Sequence, residues 1–192
     1  MSGGYKIYDQ WAMHFVTFQV IDWIDIFTRQ IYRDEIIDNF QFYRKQQGLQ
    51  VHAYVTMSNH VHAIMSATQG QIDLSTLINR FKSYTSSSIE KLLQEEPESR
   101  REWMIERFQL AASQHQRNAT FQFWTHDNHP IELDTIDKLR QRMDYVHDNP
   151  VKAGIVEKPK DYLYSSARNY HGLWSVMPID PIDEVLPGKL LE

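Results

Sequence analysis

An α+β fold built on an antiparallel sheet is predicted for this chain by three observations. Short runs rich in aromatic and β-branched residues alternate with longer runs whose apolar residues recur at helical spacing. Two of the β-type runs are separated only by Ser58 and Asn59, the mark of a hairpin. The order is strand, helix, strand, strand, helix, strand, helix, close to a split β-α-β pattern of the ferredoxin-like (RRM-like) kind. Such a sheet carries helices on one or both faces.

AMHFVTFQV, residues 12–20, reads as a buried strand. In residues 25–48, DIFTRQIYRDEIIDNFQFYRKQQG, Ile31, Ile36, Ile37, Phe40 and Tyr43 recur as on one helix face, and Gly48 is the stop. LQVHAYVTM, 49–57, alternates like a strand, and HVHAIMS, 60–66, is its hairpin partner. A second helix follows, with Leu74, Leu77, Ile78, Phe81, Ile89 and Leu92 as its apolar stripe. A polar helix is expected over about 100–117, within the stretch 95–118 that exceeds a compact core and reads as an insertion. TFQFW, 120–124, supplies a short strand, and DNHP, 127–130, a loop. The last helix, DTIDKLRQRMDYVHDN, takes Asp134 as N-cap and ends near Asn149, because Pro150 disfavours helix in the residue before it. The main domain is thus 1–156. Residues 157–192, punctuated by proline, form an extension packed on its surface.

Length and composition set the outer bounds. At 192 residues, 42% hydrophobic and 23% charged, the chain is one soluble domain with its extension. Without cysteine it has neither disulfides nor thiolate metal sites. The N-terminus lacks a signal-peptide pattern, and no apolar run approaches the ~20 residues that span a membrane, so the expected location is the cytoplasm. The net charge of −5 argues mildly against a nucleic-acid partner, although a local basic face is compatible with it.

Two segments carry chemistry. In MSNHVHAIM, 57–65, His60 and His62 lie one residue apart on a strand, so both point to one side while Val61 and Ala63 point to the other. A histidine pair of this kind is most often simply packed or hydrogen-bonded. As a ligand pair it needs a third donor from elsewhere, and imidazole alone suits zinc or another transition metal. In the last helix, Ile136, Leu139, Met143 and Val146 make the core face. Lys138, Arg142, Tyr145 and Asn149 form a separate stripe, with Tyr145 roughly opposite the core. That phenol is either a solvated surface residue or a nucleophile whose ionised form the neighbouring cations stabilise.

Together, YVTMSNHVHAIM and DYVHDNPVKAGIV resemble the hallmarks of the HUH single-strand nucleases, and within them the single-tyrosine transposases of insertion sequences, in particular the group associated with repetitive extragenic palindromes. Ser58 stands where the family motif has proline. FKSYT, 81–85, and YSSARNYHG, 164–172, are also similar to family segments, so the likeness runs from about residue 12 to 172. The resemblance implies an HUH endonuclease fold with Tyr145 as nucleophile. It implies a divalent cation, Mg²⁺ or Mn²⁺, held by His60, His62 and Asn149. The implied reaction cleaves single-stranded DNA through a 5′-phosphotyrosine and rejoins it, at hairpins of palindromic repeats. Arg80, Lys82, Lys138, Arg142 and Lys152 are the candidate phosphate contacts. His115, His126 and His129 read as loop histidines, with a metal role open for the last two. A non-mobile hairpin-binding protein, or an HUH nuclease with another DNA role, stands as the alternative, and both monomer and homodimer are compatible with the family.

Overall fold

The computed structural model describes residues 6–114, 120–126 and 128–182. His115 lies outside them. Strand β1 (His14–Gln19) is followed by two single 3₁₀ turns, Ile21–Trp23 and Ile26–Thr28. Helix α1 spans Gln30–Gln47, β2 Leu49–Thr56, β3 His60–Ala67, α2 Leu74–Glu95, and α3 Arg101–Ser113. A two-residue β4 (Ile131–Glu132) precedes α4 (Ile136–Lys152) and a short α5 (Ala167–Tyr170). The strands form one sheet in the order β2-β3-β1-β4. Every neighbouring pair is antiparallel. Strand β3 thus lies between β1 and β2, as the split β-α-β pattern requires.

Helix α1 begins at Gln30, one residue before Ile31, the first of its periodic apolar residues, and residues 26–28 of the preceding stretch form a 3₁₀ turn. It stops where expected. Gly48 is left-handed at φ 75° and its N–H donates to Tyr43 O, and a Cβ at that position would meet Gln71 Oε1 at 2.2 Å.

Each sheet face has its own core. Val16, Phe18, Val61, Ala63 and Met65 face α1 and α2, in one cluster with Phe40, Phe81 and Ile89. The rings of Phe40 and Phe81 stack with centroids 4.5 Å apart. Met104 and Phe108 of α3 join this cluster, so the polar-looking helix has a buried edge. Phe15, Ala53, Val55 and Ile64 face the other way, against Leu139 and Val146 of α4. A register shift between Val51 and Ala53 lets β2 serve both cores, since it puts Val51 and Tyr54 on the first face and Ala53 and Val55 on the second.

Three expectations are corrected. Residues 120–124 form no strand; Trp124 makes only an isolated bridge to Val20, and the fourth strand is Ile131–Glu132. The aromatic character of 121–124 serves packing instead, with Phe121 and Phe123 on Phe108 and Trp124 on Phe27. The N-cap of α4 is Thr135, whose side chain accepts from the Lys138 N–H, while Asp134 pairs with the Lys138 ammonium at 2.7 Å. Helix α4 also runs through Pro150 to Lys152. The Pro150 ring is buried, and its carbonyl accepts from Ile155 N at 2.9 Å, so the last turn keeps a closing bond despite the missing N–H.

The segment after α4 lies along β2. Thr56 N donates to Tyr164 O, Ser166 N to Tyr54 O, and Asp180 N to Val51 O, each at 2.9 Å. The Asp180 carboxylate also receives Arg44 through two bonds of 2.7 Å.

Candidate active site

Strand parity places the histidines. Thr17 lies opposite His62 and Gln19 opposite His60 in the β1–β3 register. His60, His62 and Ile64 share the face that α4 covers, while Val61 and Ala63 enter the other core. The two imidazoles sit with ring centroids 4.6 Å apart.

Each imidazole is held by its Nδ1. The His60 Nδ1–H donates to Asn59 Oδ1 at 2.7 Å. His62 Nδ1 is 2.9 Å from Thr17 Oγ1. Phe15 stacks on His62 at 5.2 Å. These contacts hold both rings through Nδ1, the kind of outer hydrogen bond that orients metal-binding histidines. Burial pushes the His60 pKa down to about 4, against a hydrogen bond with the Asn149 side chain that favours the protonated ring. Burial also takes His62 to about 3, helped by His60 and Arg142. Both rings are neutral at pH 7, as ligands must be.

Tyr145 comes from α4 to meet them. Its ring lies 5.1 Å from that of His62 and edge-on to Phe15 at 5.8 Å, and it remains 36% exposed. An ideal helical wheel puts this residue opposite the core. In the fold the Tyr145 stripe flanks the core, because α4 crosses the sheet with Leu139, Val146 and Pro150 inward and the tyrosine side chain reaches sideways over β1 and β3. The Arg142 guanidinium lies 4.9 Å from the Phe15 ring centroid and 5.9 Å from that of Tyr145. Lys152 Nζ lies 5.7 Å from the Tyr145 centroid. A phenol, two cations, two neutral imidazoles and an amide therefore share one surface.

The remaining candidates are elsewhere. Lys138 stands on the same helix, paired with Asp134. Arg80 and Lys82 are on α2, across the sheet. Arg80 donates to Gln47 at 3.3 Å, and the Lys82 ammonium ties down the segment after Trp124 through Thr125 O and Asn128 Oδ1. Among the described residues no cluster of three or more histidine, aspartate or glutamate side chains could hold a metal; beside the pair, the Asn149 amide shares a hydrogen bond with His60. That set fits a cation with open coordination positions better than a closed structural site.

Sequence reasoning missed Phe15, Thr17, Asn59 and Trp23. Phe15 and Thr17 were legible in principle, since alternation along β1 puts them on one face. Trp23, edge-on to His60 at 6.0 Å, has no periodic signal because it sits in an irregular turn.

A family model described as "Transposase IS200 like" matches residues 8–125, most of the chain but short of Tyr145. No curated protein matches the sequence. A solved structure of a REP-associated tyrosine transposase bound to a REP hairpin is similar with a TM-score of 0.59 and 18% identity, covering 100% of this chain and 99% of that one.

Proposed function

Because this chain belongs to the IS200-like transposase family, we propose that it cleaves and rejoins single-stranded DNA through Tyr145. The observation that carries this reading is the meeting of Tyr145 with His62 across two elements distant in sequence, at 5.1 Å between rings. The Tyr145 oxygen attacks phosphorus and loses its proton. The P–O3′ bond breaks, its electron pair stays on the 3′ oxygen, and that oxygen takes up a proton. The products are a 5′-phosphotyrosine and a free 3′-hydroxyl. Reverse attack by a 3′-hydroxyl rejoins the strand without a nucleotide energy source, because the covalent link conserves the bond.

His60, His62 and Asn149 would hold a divalent cation, Mg²⁺ or Mn²⁺, which polarises the phosphate when bound. Asn59 and Thr17 keep the two imidazoles in place. Arg142 and Lys152, each close to the Tyr145 ring, attract the phosphate. Lys138 extends this basic line along α4. Arg80 and Lys82 would meet only DNA that passes beyond the site.

A hairpin is the DNA form we assign, supported by the hairpin-bound protein of similar fold. Such a substrate offers a folded stem for binding and an unpaired flank for cleavage. We place the reaction in the cytoplasm; among the described residues no helix is long and apolar enough to cross a membrane.

The test is a covalent-adduct assay. The protein is incubated with labelled single-stranded hairpins from the DNA flanking its own gene, with Mg²⁺, with Mn²⁺, or with neither. A metal-dependent, denaturation-resistant band that disappears in Tyr145→Phe is expected. Tight hairpin binding with no band in the wild type would overturn the cleavage reading in favour of a binding protein.

A further inference from the structure

Residues 20–28 form an irregular stretch held from two sides. Asp22 and Trp23 are consecutive non-glycine residues with left-handed backbone, φ 53° and 55°. That conformation is costly for residues with a Cβ and persists where the surroundings enforce it. Here they do. Asp22 accepts from Arg107 Nε at 2.8 Å, and Asp25 pairs with Arg100 at 2.5 Å, so two arginines near or on α3 brace the turn. From the other side, Val20 N donates to Asn59 O and Phe27 N to Ser58 O. The Asn59 side chain donates to Trp23 O at 3.2 Å while its oxygen holds His60 Nδ1.

All this restraint holds in the open a side chain that would ordinarily be buried. Trp23 is 56% exposed and its ring stands 6.0 Å from that of His60. The ring contacts run in series, Trp23 to His60, His60 to His62, and His62 to Tyr145. Trp23 and Tyr145 therefore occupy opposite ends of the histidine pair.

Phosphoryl displacement is roughly in line, with the leaving oxygen away from the nucleophile. Tyr145 attacks from one end, so the 3′ oxygen departs toward the other, where Trp23 stands. We propose that Trp23 is a stacking platform for the base of the nucleotide that leaves with the 3′-hydroxyl. It holds that nucleotide after cleavage and so keeps the hydroxyl placed for the return attack. The inference rests on Tyr145 cleavage as proposed above, and it gives the α3 region a task, that of bracing the platform.

The experiment combines protein and DNA changes in the adduct assay, after the cleavage position is mapped with wild-type protein. Trp23→Ala, Trp23→Phe and wild type are compared on the intact hairpin and on hairpins carrying one abasic nucleotide. That nucleotide is placed either immediately 5′ of the scissile phosphate or at another unpaired position. Removing a base–aromatic stack should slow adduct formation and strand rejoining about tenfold, with Trp23→Phe retaining most of the rate. The abasic substitution 5′ of the scissile phosphate should slow wild type by a similar factor and cost Trp23→Ala nothing further. At the control position the two losses should multiply. Multiplication at both positions, or an unchanged rate in Trp23→Ala, overturns the platform while cleavage stands. If Trp23→Ala does not fold, Trp23→Phe with the abasic pair decides, because a stack lost on the DNA side must fall on that one nucleotide. Absence of any adduct in wild type overturns the cleavage reading, and the platform with it.

Discussion

Strand β3 shows its two sides to different worlds. Val61, Ala63 and Met65 enter a dense aromatic core under α1 and α2, where Phe18, Phe40 and Phe81 meet ring against ring. His60 and His62 turn to a face that α4 only partly covers, where Tyr145 stays 36% exposed and polar groups hold one another in place. Apolar burial scales with the area removed from water, so the first face, with the larger buried cluster, carries more of the stability. The second face is then free to hold polar groups in fixed positions with coordination and reaction sites left open.

That division can be broken from either side. The largest effect should come from Tyr145→Phe, which removes one oxygen from the open face. Adduct formation should fall by several orders of magnitude, while the urea midpoint stays near that of wild type. A large loss of stability in that variant would mean the two faces are not separable. The converse is Phe81→Ala, on the buried ring stacked against Phe40. It should cost about 3–5 kcal/mol in denaturant unfolding and leave the adduct rate per folded molecule unchanged.

Asn59→Ala probes the open face alone. It frees the ring that His60 holds by its Nδ1. Metal affinity, followed by titration calorimetry with Mn²⁺, should weaken about 10–100-fold with little change in unfolding. Unaltered affinity would show that Asn59 does not set the ring.

These faces were unequally legible in the sequence. Alternation alone assigned His60 and His62 to one side and Val61 and Ala63 to the other, since parity in a strand is local. The approach of Tyr145 to His62 is not local. It depends on how α4 crosses the sheet, and helical periodicity put that tyrosine opposite the core. The resemblance in DYVHDNP, not the wheel, singled it out. The fourth strand was misplaced for a related reason. Phe121, Phe123 and Trp124 have strand-like composition but pack as core rings, whereas Ile131–Glu132 is too short to leave a pattern. Asn59 was visible as a turn residue and as part of the histidine motif, but not as a brace, because a side chain that ties two elements together has no periodic signature.

Smaller effects test the edges of the scheme. His52 is buried, with Nδ1 3.1 Å from Asp180 O and Nε2 2.9 Å from Ser66 Oγ. Burial holds its pKa below the ordinary 6.5. Below pH 6.5 the unfolded chain therefore takes up a proton that the folded chain refuses. This contribution is full above that pH and is lost as pH falls, by at most about 1.4 kcal/mol per pH unit. Urea midpoints between pH 7.5 and 5 should fall less steeply in His52→Gln. An equal slope would assign the acid sensitivity to other groups. The smallest change expected is that of Arg142→Gln. Loss of its contacts with Phe15 and Tyr145 should cost about 0.5–1 kcal/mol of stability and lower the salt dependence of hairpin binding by about one phosphate contact. An unchanged salt slope would remove Arg142 from the DNA path.

The strap along β2 has a consequence for synthesis. Tyr54 and Ser166, which close that edge, are 112 residues apart. At translation rates of about 5–20 residues per second, roughly 6–22 seconds separate the strand from its cover. During that interval a nascent sheet presents unpaired backbone groups to other chains. A transcript truncated before codon 162 would therefore yield an adhesive fragment, prone to inclusion bodies, rather than a merely weaker enzyme.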